Sequence, residues 1–213
     1  MILPNIEFQE ETVMSVFYPF ESEGLEDAGK ELSNFINSVM QDFDSITLIG
    51  HSKCGVCFAN AVRWIECKNI TIVTFSTPFQ GTPMADQKAM FEKLNWFEER
   101  MYTLIFGNHN VDKDITQNSN FLQNADYSGL ENCTHINIIS ECPEKSSNFL
   151  DVVLTYLNEK GEINGDGIVP KTSQKSISYS NTIEKEIEAT HATSLEIGVE
   201  IVKELFISKA EDS

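Results

Sequence analysis

The segment Gly50-His51-Ser52-Lys53-Cys54-Gly55 sets a serine among small residues. A serine hydroxyl is a weak nucleophile at neutral pH and needs a base beside it. A sharp turn between a strand and a helix can hold its Oγ clear of the backbone, and glycines are wanted there because the two elements pass close together. Here the place of the usual second glycine is taken by Cys54, an imperfect fit, with Gly55 one residue later. Four histidines are candidate bases. His51 adjoins the serine, and its side chain is expected to point away. His109 lies in the middle of the chain, and His135 begins an apolar run. His191 falls in the polar stretch Ala189-Thr-His-Ala-Thr-Ser194 and is the favoured base, with an ordinary surface loop residue as the competing reading. An acid should orient the imidazole and stabilise the imidazolium. Asp166, in Asn164-Gly-Asp-Gly-Ile-Val-Pro170, fits, against a plain Asp-Gly turn. Asp151 and the cluster from Glu184 to Glu188 are its rivals.

These residues need a scaffold. Short apolar runs alternate with helical stretches, the pattern of a parallel sheet covered by helices. Strands are expected at Thr12 to Tyr18, Ser45 to Gly50, Asn69 to Phe75 and His135 to Ser140, with a weaker one at Lys175 to Ser180. Pro19 to Gly24 reads as a loop. Helices are expected at Leu25 to Asp42, Gly55 to Cys67 and Ser194 to Ile207, each with apolar residues at helical spacing. Ser52 then stands where a strand ends and a helix begins. From about Met84 to Glu131 the alternation breaks: Met84 to Phe106 reads as helical, and Gly107 to Gly129 as loop. This insert reads as a cap over the sheet, against ordinary helix packing.

The chain has 213 residues, and 41% are apolar, enough for a single domain (1–213) with a real core. The net charge of −18 and the presence of only two arginines, Arg63 and Arg100, argue against nucleic acid and anionic lipid as partners. No run approaches the length of a membrane span, and no signal peptide is visible, so a cytoplasmic location is the expectation. The five cysteines are an odd number, and Cys54 and Cys57 have no second pair to complete a zinc site. They read as small thiols in a reducing compartment.

Four segments, in order, carry a family resemblance: Ile49-Gly-His-Ser-Lys-Cys-Gly55, Phe75-Ser-Thr-Pro-Phe-Gln-Gly-Thr-Pro83, Asn164-Gly-Asp-Gly-Ile-Val-Pro170 and His191-Ala-Thr-Ser194. With them the chain resembles α/β-hydrolase lipases and esterases of the bacterial triacylglycerol-lipase type, over nearly its whole length. Asp114-Ile-Thr and Asn120-Phe-Leu122 resemble the cap region of these lipases. The resemblance implies an α/β-hydrolase fold and a Ser52–Asp166–His191 triad acting on an ester or lipid, with the Lys53 N–H in the oxyanion hole. It implies no cofactor. Some relatives bind calcium, and no clear ligand cluster for it shows in the sequence.

The sequence departs from that family at Cys54 and at the N-terminus. In the family a His-Gly loop after an early strand supplies an oxyanion donor. Only eleven residues precede Thr12, and they hold no His-Gly. The second donor is expected from Met1 to Glu11, from the Phe79–Gln80 turn or from a partner chain. A rival expectation is a binding protein that keeps the scaffold without turnover. An exposed edge strand would then invite a second copy of the chain.

Overall fold

The computed structural model describes residues 24–39, 43–86, 90, 92, 94–106, 113–145, 148–175, 177 and 179–211. The strand expected at Thr12 to Tyr18 and most of the loop at Pro19 to Gly24 lie outside them.

Four parallel strands form a sheet in chain order: β1 (Ile46–His51), β2 (Ile70–Phe75), β3 (Thr134–Glu141) and β4 (Thr182–Glu188). The first three are rich in Ile, Val and Thr because both of their faces are covered. Strand β2 shows how the two faces are divided. Ile70 and Ile72 join a cluster with Leu25, Leu32, Val56 and Ala59. Val73 and Phe75 join Ile136, Ile138, Val199 and Val202 on the opposite side. Successive strand residues point to opposite faces, so one run feeds two cores.

Helices α1 (Leu25–Val39) and α2 (Lys53–Ala61) cover the first face. In α1, Leu25, Ala28, Leu32 and Ile36 make the buried stripe. Its start is fixed by Asp114, whose Oδ2 accepts the Leu25 N–H at 2.8 Å, a carboxylate at a helix N-terminus. The helix that runs from Ser194 to Glu211, numbered α7 below, covers the other face. Gly198 lets it come close: a Cβ there would lie 2.5 Å from the Phe75 ring.

Between these lie α3 (Trp96–Phe106), α4 (Asn120–Asn124), α5 (Phe149–Lys160) and α6 (Lys171–Gln174). Two expectations are corrected here, and one helix was not expected. The segment at Lys175 to Ser180 is not the next strand; the pairing strand is β4, later in the chain. Polar Gly107 to Gly129 contains a helix, α4, capped by Ser119, whose Oγ accepts the Leu122 N–H. Helix α5, which the apolar spacing did not bring out, packs Val153 and Leu157 against Met84, Met90, Leu94 and Tyr102. The described residues of the insert therefore divide: its first half packs on α5, while Ile115 and Leu130 join the core beneath α1 and α2. No helix among the described residues is long and apolar enough to cross a membrane.

Candidate active site

Strand β1 ends at His51 and α2 begins at Lys53, so a single residue, Ser52, makes the whole turn. Its φ of 56° and ψ of −130° are a conformation that L-residues rarely adopt. Such strain costs on the order of 1–3 kcal/mol and persists where surrounding structure holds it. Here the Ser52 N–H donates to Phe75 O at 2.8 Å, and Ser52 O accepts from the Gly55 N–H at 3.0 Å. The glycine requirement is met differently from the sequence expectation. A Cβ on Gly50 would lie 2.8 Å from the Gly55 backbone, and one on Gly55 would lie 2.0 Å from Thr77 Oγ1. The close pass is between Gly50 and Gly55, so Cys54 sits beside it and its Cβ is accommodated.

The C-terminal ends of β3 and β4 bring the acid and the base together. Asp166 is fully buried. Its Oδ2 lies 2.8 Å from His191 Nδ1, and its Oδ1 accepts the N–H groups of Ile168 and Val169 at 3.0 and 2.7 Å. Both of its oxygens are turned to fixed partners. Gly167, at φ 93°, makes this tight turn possible; a Cβ there would meet Leu154 O at 2.7 Å. Because Asp166 accepts at Nδ1, the neutral His191 ring carries its proton there and presents Nε2 as the base.

His51 does not point away. Its Nε2 lies 3.0 Å from His191 O, and the two rings stand 4.6 Å apart at 44°. Burial, and then the neighbouring His191 ring, depress its pKa to about 4. A neutral ring already committed to a carbonyl is a poor base. The corner of the fold that holds Ser52 thus touches the loop that holds His191.

No family model matches the chain, and no curated protein matches it. Solved structures do. Bacillus licheniformis lipase BlEst2 in its mature form is similar at a TM-score of 0.55 and 18% identity, over 80% of this chain and 69% of that one. The propeptide form of the same lipase is similar at 0.53 and 18%, over 80% of this chain and 37% of that one. The fold is an α/β-hydrolase fold.

Within the α/β-hydrolase fold the rival acids find other work. Asp151 of α5 is buried and accepts from Thr190 Oγ1, the residue before His191, and from Asn148 Nδ2 at 2.7 Å. Glu186 of β4 is ion-paired with Lys171 and Lys175, which hold its pKa down at about 2. His135 is buried in the sheet, bonded to Thr74 Oγ1 at 2.9 Å. His109 lies outside the described residues.

Lys53 is the first residue of α2, so its N–H belongs to the positive end of that helix, beside Ser52. At the Phe79–Gln80 turn both N–H groups already have acceptors. The Phe79 N–H donates to Thr77 O at 3.0 Å, and the Gln80 N–H donates to Ser173 Oγ at 3.0 Å. Residues Met1 to Glu11 lie outside the described residues.

Sequence reading missed the clamp behind the acid. Gln174 accepts the Ser140 N–H at 2.7 Å and donates to Ser140 O and Val169 O at 3.0 and 3.1 Å. It ties α6 to β3 and steadies the Val169 that binds Asp166. A glutamine in a polar segment gives no sequence signal of such burial.

Proposed function

We propose that the chain is a serine hydrolase of carboxylic esters, lipase- or esterase-like, in which Ser52 is the nucleophile, His191 the base and Asp166 the orienting acid. His191 Nε2 takes the Ser52 proton as Oγ attacks the acyl carbonyl. The charge that develops on the carbonyl oxygen meets the Lys53 N–H at the start of α2. The imidazolium, stabilised by Asp166, then gives its proton to the departing alkoxide. Water attacks the acyl carbon while giving a proton to His191, which returns it to Ser52 Oγ as the acyl–serine bond breaks and the acid leaves. The observation that carries this reading is the buried Asp166–His191 pair at 2.8 Å, whose loop touches the strained turn at Ser52.

Two further features belong to the proposal. The insert from 84 to 131 is a cap that governs access to the site. In support, it follows the C-terminal end of β2, and a residue just before it is tied to the Asp166 loop, Thr82 Oγ1 donating to Ile168 O. The second feature concerns rate. With the Phe79 and Gln80 N–H groups engaged, Lys53 supplies one oxyanion donor and those two residues add no second. Loss of one such donor costs about 10²–10³ in kcat. Short activated esters are therefore the favoured substrates over long-chain triglyceride.

The test is a panel of p-nitrophenyl esters of increasing acyl length, run beside Ser52→Ala. Turnover of short esters that disappears in the variant supports the proposal. A folded native chain no faster than Ser52→Ala on every ester contradicts it and favours a binding protein built on this scaffold.

A further inference from the structure

His51 lies immediately before the turn residue Ser52 on β1, yet its ring reaches across to a loop 140 positions further along the chain. The acceptor there, His191 O, is a carbonyl, so the His51 ring must donate, and Nε2 carries its proton. The same carbonyl accepts from Ser194 Oγ at 3.2 Å. The two imidazoles pack at 4.6 Å, with His51 half-buried between the turn and the loop. Among the described residues, no backbone hydrogen bond between β1 and the His191 loop duplicates this link. The Ser52 N–H goes to β2, and the His191 N–H goes to Asp166.

We propose that His51 is a positioning residue that sets the distance between nucleophile and base, an inference that rests on the ester-hydrolase reading of the same site. Asp166 fixes which way the His191 ring faces but is itself anchored to the loops after β3. That anchorage reaches Ser52 indirectly, through β3 and β2. His51 supplies the reference. Its backbone is continuous with Ser52, and its Nε2–H holds the backbone of His191. A hydroxyl and an imidazole must come within about 3 Å for proton transfer, and a misplacement of about 1 Å can reduce the rate about 100-fold. A short donor chain on the residue before the nucleophile removes that freedom.

The two substitutions that separate this role from simple packing are His51→Phe, which keeps a ring without a donor, and His51→Gln, whose Nε2 amide can reach the same carbonyl. In His51→Phe, kcat on a short p-nitrophenyl ester should fall about tenfold or more, with KM within about twofold. In His51→Gln it should return to within about threefold of the native value. The His191 Nδ1–H resonance is read in parallel by NMR. It should be sharp in the native chain and in His51→Gln, and broadened by faster exchange in His51→Phe. This signal reports His191 whether or not the chain turns over an ester. If the resonance behaves as expected while no variant and no native sample hydrolyses ester, the hydrolase reading fails and the positioning link stands. Equal kcat in native and His51→Phe protein, with an unchanged resonance, overturns the inference. Equal loss in His51→Phe and His51→Gln also overturns it, since packing alone would then account for the effect.

Discussion

Asp166 and His191 are joined twice. The side-chain pair meets at 2.8 Å between Oδ2 and Nδ1, and the His191 N–H donates to Asp166 O, also at 2.8 Å. The second bond fixes the loop and the first fixes the ring, so the imidazole has little freedom left. This matters because a histidine serves as a base only in one tautomer and one orientation.

Asp166→Asn tests the pair. An amide at this position can donate toward Nδ1 and stabilise the opposite tautomer, leaving Nε2 protonated. The fold should persist, since Oδ1 still accepts from Ile168 and Val169. We expect kcat on a short ester to fall about 10⁴-fold, the size seen in the serine-protease template. A rate within threefold of native would transfer the acid role, with Asp151 behind Thr190 the next group to test.

The turn at Ser52 makes a stability prediction. Gly55→Ala places a methyl 2.0 Å from Thr77 Oγ1 and 2.9 Å from Thr77 Cγ2, so it should destabilise by about 1–3 kcal/mol through overpacking. Thr77→Ala should relieve much of this, and urea unfolding of the two single variants and the double variant measures the coupling. Cys54→Gly should bring no gain, because the close pass lies at Gly55. Independent effects at residues 55 and 77 would mean that helix α2 shifts away from the loop.

The dependence of stability on pH follows from two rings withdrawn from water, His135 fully and His51 in part. Burial, joined at His51 by the neighbouring His191 ring, depresses both His51 and His135 to about 4 from an ordinary 6.5. Both folded values lie below the unfolded value, so the unfolded chain binds protons first. Stability is full above pH 6.5 and falls as pH drops from 6.5 toward 4. The loss approaches about 3 kcal/mol for each ring at pH 4. Glu186 works lower down: its depressed pKa gives stability that is present above 4.5 and lost toward 2. Being largely exposed, it contributes no more than about 1 kcal/mol. Urea midpoints that stay flat between pH 6.5 and 4.5 would contradict the assignment of two histidines held neutral in the fold.

The central strands were legible in the sequence because burial on both faces demands continuous β-branched and apolar runs, as in Ile70 to Phe75 and Thr134 to Ser140. Strand β4 was not. Its run of Thr, Ile and alternating charges reads as surface, since it lies outermost among the described strands and exposes Glu184, Lys185, Glu186 and Glu188. Helix α5 escaped for a similar reason. Phe149 and Val152 are exposed while Asp151 is buried, which inverts the usual polarity pattern. Among the site candidates, the turn at Ser52 and the pairing of Asp166 with His191 follow segments that stood out by their small flanking residues and their order. His51 was misplaced because adjacency in a strand suggests opposite faces. The strained turn at Ser52 ends the strand and brings the His191 loop against it.

The central claim is that His191 activates Ser52, and covalent labelling with a fluorophosphonate reads it most directly. The native chain should gain one adduct, located on Ser52 by mass spectrometry of its peptides. His191→Ala should keep its fold and label at least about 10³-fold more slowly, because the members of such a triad act as a unit. A folded native chain that gains no adduct on Ser52, or one that labels no faster than His191→Ala, would contradict the account.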